Sequence, residues 1–183
     1  MTHRTREELE GGLADVRAAP ADGGVVRLVV RRTGPGRREI LAEGELDVEL
    51  GLVGDDWIAR PEKGSDRPTS WAQVTLMNAR YTQLIAGGPS PQAWAQAGDQ
   101  LYIDLDISVA NLPPGTRLEL GDAMLELSSQ PHTGCAAFSE RFGSEALRLA
   151  NSAEGRELRL RGANTVVVRS GVVRPGDPVR KVS

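Results

Sequence analysis

The chain has 183 residues but a single cysteine, two histidines and two lysines, and aromatic side chains make up only 4% of it. One cysteine excludes an intrachain disulfide, a CxxC redox pair and any Cys-rich zinc or iron–sulfur site, including an internal ferredoxin module. Two histidines, His3 and His132, are too few for a His-rich metal centre or a facial triad. No apolar run approaches the roughly 20 residues a membrane-spanning helix needs. The opening Met-Thr-His-Arg-Thr-Arg-Glu-Glu has no apolar stretch like that of a signal peptide. The patterns GxGxxG and GxxxxGK[ST] are missing, as is any βαβ rhythm, which sets aside Rossmann and P-loop readings. A formal net charge of -3 provides no global positive field to draw nucleic acid. These absences lead to the expectation of a cytoplasmic protein with no membrane and no nucleic-acid partner.

What is present is globular in character. A content of 39% hydrophobic and 26% charged residues suits one domain with its own core. Folding at this length buries roughly 70% of the unfolded chain's surface. The expected division is an N-terminal helical appendage over 1–24 and a β-rich domain over 25–183.

Charge is unevenly spread. Glu39, Glu43, Glu45, Asp47, Glu49, Asp55 and Asp56 fall in one stretch without a basic residue, whereas Arg156, Arg159, Arg161, Arg169, Arg174, Arg180 and Lys181 make the C-terminal part basic. A local basic surface of this kind suits a small anionic ligand, and solvated strand faces are the blander alternative.

Residues 5–19 have helical spacing, with Leu9, Leu13 and Val16 on one side and Thr5 and Glu8 at capping-box distance. From Val25 onward strand patterns dominate, at 25–32, 73–77, 100–107, 116–120, 123–129, 157–161 and 166–174. In 100–107, Leu101, Ile103, Leu105 and Ile107 fall on one face and Tyr102, Asp104 and Asp106 on the other. Pro-Gly and Gly-Asp turns punctuate the strands, as expected for a barrel or sandwich. Helices are expected at 79–86 and 136–150, the second broken at Gly143 with Ser144 able to cap the next piece. The polar stretch 57–71 reads as a long surface loop.

The most informative motif is Gln130-Pro-His-Thr-Gly-Cys135, which sets the lone cysteine three residues after the only internal histidine, in a turn between a strand and a helix. A thiol there meets the positive end of the helix dipole and a neighbouring imidazole, both of which favour the thiolate. The competing reading makes Cys135 a buried small hydrophobe. No second internal His or marked Asn/Asp partner favours a Cys-His protease. Asn78 and Arg80 follow the apolar strand 73–77, a position that suits either ligand contacts or helix capping. Arg141, six residues past Cys135, can share a ligand's negative charge or face solvent. Asp104 and Asp106 read as a solvated strand face rather than a carboxylate pair.

Taken in order, the segments 44–57 (GELDVELGLVGDDW), 73–80 (QVTLMNAR), 97–108 (AGDQLYIDLDIS), 111–127, 131–143 (PHTGCAAFSERFG) and 172–182 (VVRPGDPVRKV) give the chain a form that resembles the MOSC domain, named for the C-terminal domain of molybdenum-cofactor sulfurases. The resemblance implies a mainly β fold with a few short helices, a MOSC-like closed β-barrel. It also implies a functional cysteine, here Cys135, that carries sulfur as a persulfide or ligates molybdenum held by molybdopterin. His132, Thr133 and Gly134 would shape the turn and place donors, while Arg141, Asn78 and Arg80 would contact anionic groups of the cofactor.

Some bacterial members reduce N-hydroxylated compounds when a separate redox partner supplies electrons; sulfur carriage would need a cysteine desulfurase instead, and an inert binding module is the third reading. Many members have Pro-Arg before the cysteine, whereas this chain has Pro131-His132, so that anion contact is either missing or supplied by another element. Pyridoxal phosphate is not expected, since it belongs to the aminotransferase-like module of the sulfurases, and Lys63 is not marked out as a Schiff-base lysine.

Overall fold

Short strands separated by Gly, Pro and Asp turns let the chain fold back on itself repeatedly. In the computed structural model, which describes residues 3–61 and 68–182, this yields eleven strands and six short α-helices among the described residues. In chain order they are α1 (Arg6–Arg17), β1 (Gly24–Gly34), β2 (Arg37–Leu41), β3 (Gly44–Asp47), β4 (Gly51–Leu52), β5 (Val74–Asn78), α2 (Ala79–Ala86), α3 (Pro91–Ala95), β6 (Leu101–Asp104), β7 (Arg117–Leu120) and β8 (Ala123–Pro131). Then follow α4 (Ala136–Phe142), α5 (Ser144–Asn151), α6 (Ala153–Glu157), β9 (Ala163–Arg169), β10 (Gly171–Val173) and β11 (Pro178–Val182). A 3-10 turn, Asp56–Ala59, precedes β5.

The larger sheet runs β11-β7-β8-β9-β5-β6-β1-β2, and a further pairing of β11 with β1 closes seven of its strands into a ring of hydrogen bonds. All neighbours are antiparallel except β5 and β6. The eleven-residue β1 makes closure possible. Its first residues pair with β11, its middle with β6 and its end with β2. β10, β3 and β4 form a second, smaller sheet.

Alternation along the strands divides the apolar residues between two clusters, one on each face of the sheet. Val29, Val74, Leu76, Leu101, Ile103, Leu118, Leu125 and Val179 belong to the cluster that holds the strands together. Leu28, Val30, Met77 and Tyr102, from the opposite face, pack with residues of α1, α2, α4 and α5. A register shift in β1 between Val26 and Leu28 puts those two residues on different faces although they are two apart. Each such side chain removed from water contributes about 1.5–3 kcal/mol.

Three expectations need correction. Alternation puts Tyr102 on the face of its strand shared with Asp104 and Asp106, yet it is completely buried, because helices cover that face too. Segment 157–161 is not a strand. α6 ends at Glu157, and the turn that follows has Arg159 at φ 48; Leu158 and Leu160 alternate there only because both turn toward the helical cluster. Helix 136–150 does break at Gly143, but Gly143 itself, not Ser144, is the N-cap residue of α5. α1 keeps its capping box between Thr5 and Glu8 and buries Leu9, Leu13 and Val16 in the helical cluster. Of the loop expected over 57–71, residues 62–67, Lys63 included, lie outside the described residues. No helix among the described residues is long and apolar enough to cross a membrane.

Candidate functional site at the Cys135 turn

β8 delivers the chain to Pro131, which pairs with Ala163 of β9, and residues 132–134 then lead into α4. Cys135 is the N-cap residue of α4, with extended backbone (φ -124, ψ 176), and its carbonyl accepts from the N–H groups of Phe138 and Ser139. Its thiol makes no capping bond and the residue is exposed, so the reading of Cys135 as a buried hydrophobe does not hold. Phe138 and Phe142, four apart, are buried against each other with ring centroids 5.1 Å apart and anchor α4 to the helical cluster.

The turn is tied to α5. The Gly134 N–H donates to Asn151 Oδ1 at 3.1 Å, and a Cβ at position 134 would come within 2.4 Å of Leu147 Cδ1. Only glycine allows this approach without displacing Leu147. Thr133 is exposed.

Behind the turn lies a buried polar cluster from three elements. Asp99 precedes β6, Arg161 ends the turn after α6, and His132 follows β8. Arg161 Nη1 donates to Asp99 Oδ2 at 2.7 Å, Nη2 donates to the Ala97 carbonyl, and the guanidinium lies 5.1 Å from the centre of the Phe138 ring. His132 Nδ1 stands 3.5 Å from Asp99 Oδ1. Neither atom has a hydrogen-bond partner, and the same is true of Arg161 Nε. About a fifth of the His132 side chain reaches solvent. Burial, reinforced by the positive charge of Arg161, pushes its pKa down to about 4, against the pull of Asp99, so the imidazole is neutral at pH 7. Gly162, at φ 107, lets the Leu76 carbonyl and the Asp99–His132 pair approach the backbone; a Cβ there would lie 2.4 Å from the Leu76 oxygen.

On one side of Pro131–Thr133 opens a cleft of about 380 Å³, with Arg32, Arg60, Trp57, Trp71 and Asn164 among its walls. Arg32 is held by Asp55, whose side chain has no exposed surface. Asp55 also accepts from the N–H groups of Arg32 and Trp57 and from Gln100 Nε2. Arg60 pairs with Asp56 at 2.5 Å. Arg38 and Arg141 sit beside these two but have no carboxylate within 4.0 Å among the described residues; they donate to the carbonyls of Arg37 and Gln96. Both approach Gly98, where a Cβ would lie 3.3 Å from Arg38 Nη2 and 3.8 Å from Arg141 Nη1. Burial and the charges of Arg141, Arg32 and Arg60 hold the Arg38 guanidinium below its usual value, and its Nε is buried without a partner. The result is an electropositive region short of counter-charge.

The candidates from the sequence are therefore divided. His132, Thr133, Gly134 and Cys135 form one turn, and Arg141 lies on the helix this turn begins. Asn78 and Arg80 are employed elsewhere. Asn78 is the N-cap of α2, where its Oδ1 accepts from the N–H groups of Arg80 and Tyr81 while its Nδ2 donates to the Leu105 carbonyl. Arg80 pairs with Asp104 and Asp15, and neither residue lines a cleft that His132 lines. The capping alternative is the one the structure shows. Asp104 is engaged by Arg80 and Arg27 rather than by Asp106.

Sequence reasoning did not single out Asp99, Arg161, Arg32 or Arg38 as site residues. Asp99 stands in one of the Gly-Asp dipeptides read as turns, and Arg161 in the segment misread as a strand; nothing local signals that residues 62 apart would pair.

No profile of a known protein family matches the chain, and no curated protein matches it at the sequence level. Solved structures do. YuaD from Bacillus subtilis superimposes with a TM-score of 0.60 at 16% identity, covering 86% of this chain and 94% of YuaD. A crystal structure described only as a hypothetical protein gives 0.58 at 22% identity, covering 88% of this chain and 68% of that one. YiiM from Escherichia coli gives 0.55 at 19% identity, covering 87% and 70%. The shared fold is MOSC-like.

Proposed function

We propose that this is a MOSC-type protein in which Cys135 is the reactive group, either as a ligand to molybdenum in a molybdopterin cofactor or as a sulfur carrier. The observation that carries this reading is the exposed thiol of the only cysteine, presented at the start of α4, the helix that also carries Arg141, on a fold shared with YuaD and YiiM. The residues present fit such a cofactor. A thiolate is a soft donor suited to a transition metal. Arg38 and Arg141 have donors free of carboxylates, and Arg38 Nε is an orphaned buried group of the kind a phosphate oxygen satisfies. Thr133 contributes a hydroxyl on the cleft wall, and the neutral His132 contributes an imidazole that does not compete with the arginines for the anion. When bound, the cofactor supplies two-electron redox chemistry at its metal.

In the sulfur-carrying form, the Cys135 thiolate attacks the outer sulfur of a cysteine desulfurase persulfide. A sulfur–sulfur bond forms on Cys135, and the desulfurase thiolate leaves, so one sulfur atom moves without net oxidation.

The test is metal analysis of protein purified from a host that makes molybdenum cofactor, wild type beside Cys135→Ser. Near-stoichiometric molybdenum that disappears in the variant establishes the ligand role, and reduction of N-hydroxylated compounds with an added reductase is then the assay to run. Absence of molybdenum, together with a one-sulfur mass gain on Cys135 after incubation with desulfurase and cysteine, establishes carriage. If neither appears, the barrel-like fold has been kept as a non-catalytic module and the proposal is wrong.

A further inference from the structure

His132 and Thr133 have a second face. Pro131, His132, Thr133 and Asn164 form a partition: they line the cleft described above, and they also line a separate cavity of about 250 Å³ on the other side. The far wall of this cavity comes from α6 and the turn into β9, and its floor from the end of β8.

Its chemistry is one-sided. Arg156, Arg159 and Arg161 all line it, and no Asp or Glu does among the described residues. Asp99 neutralises Arg161 from behind. Arg156 and Arg159 have no carboxylate within 4.0 Å among the described residues; each uses Nη1 alone, on the carbonyl of Asn151 or on those of Ile107 and Leu112. Their remaining N–H groups, and the orphaned buried Nε of Arg161, are unspent donors. Ser128, Ser129 and Gln130 add neutral polar groups, while Val109, Pro114 and Ala150 provide a short apolar wall. The backbone here is held in an uncommon conformation: Arg159 is the sole non-glycine residue with positive φ among the described residues. Further along the basic C-terminal stretch, Arg169 is paired to Glu119 and Arg174 to Glu43.

We propose that this cavity is a binding site for a small organic oxyanion, a carboxylate or phosphate ester on a short apolar body, separate from the cleft lined by Arg32 and Arg60. Planar guanidinium groups meet such oxyanions with paired hydrogen bonds. A cavity of this size is just below the range usual for small-molecule sites, which limits the occupant to a compact molecule. The proposal stands independently of any cofactor at Cys135.

The experiment is amide-shift NMR of the full chain titrated with inorganic phosphate, phenyl phosphate and benzoate in turn. The expected result is saturable shifts confined to residues 128–133 and 156–164, with an organic probe binding more tightly than phosphate. Benzoate and phenyl phosphate together decide between carboxylate and phosphate recognition. Arg156→Glu, at an exposed position, lowers affinity at least about tenfold, and Ser129→Trp, on the exposed rim, blocks binding by filling the cavity. Arg38→Ala, near Arg32 and Arg60 of the other cleft, leaves affinity unchanged. No saturable shift with any probe overturns the proposal, as does binding that is lost in Arg38→Ala but survives Arg156→Glu and Ser129→Trp.

Discussion

Asp55 and Asp99 are both carboxylates with no exposed side-chain surface, and each is paired with an arginine. They differ in completeness. Asp55 spends both oxygens on Arg32, on two backbone N–H groups and on Gln100, and so ties β1, the 3-10 turn and the strand region before β6 together. Asp99 gives one oxygen to Arg161 and leaves the other unpartnered, facing an imidazole nitrogen that is also unpartnered. A buried polar group without a partner costs about 1–3 kcal/mol, so folds retain few of them. The first network acts as scaffold, and the second carries a cost that stability alone does not explain. The second is also the one that lies behind the Cys135 turn and against both clefts.

Replacing each pair by apolar side chains separates these roles most sharply. Asp55→Leu with Arg32→Met strands the backbone N–H groups of Arg32 and Trp57 and one N–H of the Gln100 amide, and is expected to lower unfolding free energy by at least about 3 kcal/mol in a denaturant melt. A loss below 1 kcal/mol would remove the distinction.

Next in size is a pH effect confined to the second region. His132 has its pKa lowered from 6.5 to about 4 in the folded chain, so between these values the unfolded chain binds the extra proton. The contribution is fully present above pH 6.5 and is lost as pH falls toward 4, a change of about 2–3 kcal/mol. His132→Gln should flatten the difference in stability between pH 7 and pH 4 by that amount, read from melts at both pH values. An unchanged slope would mean that His132 is not buried as described.

The smallest effect belongs to the counterpart of the first substitution. Asp99→Leu with Arg161→Met removes a pair already half-satisfied and keeps an apolar contact on Phe138, and should cost no more than about 1 kcal/mol. The same double variant should weaken organic-anion binding in the adjacent cavity, since it removes one guanidinium from the wall.

Much of the architecture was legible. Strand alternation, the Gly143 break, the capping box at Thr5 and the helix over 79–86 all follow from local rules that the sequence states directly. Tyr102 was not legible, because alternation reports which residues share a face but not what covers that face. Nor was the turn at 158–162, where Leu158 and Leu160 keep strand-like spacing inside a bend that Arg159 and Gly162 make possible through positive φ. Of the site, the Cys135 turn stood out because its residue types are rare in this chain. Asn78 and Arg80 were ambiguous, since a strand-to-helix junction rewards a capping residue as readily as a ligand contact. The partners Asp99 and Arg161 are brought together because the strands they precede, β6 and β9, both flank β5, and no local spacing encodes that.

The ring of strands has one loose end. Among the described residues, every strand of the larger sheet has neighbours on both sides except β2, which pairs with β1 alone. An open edge invites a second chain to add a strand, and Ile40, 39% exposed, would reward the addition. The sequence of β2, Arg-Arg-Glu-Ile-Leu, opposes it: centred antiparallel pairing of two copies sets Glu39 against Glu39. Arg37 and Arg38 would also have to shed water to enter such a contact. The charges that leave this face hungry for anions therefore act as gatekeepers against self-association, and neutralising them would trade solubility for stickiness.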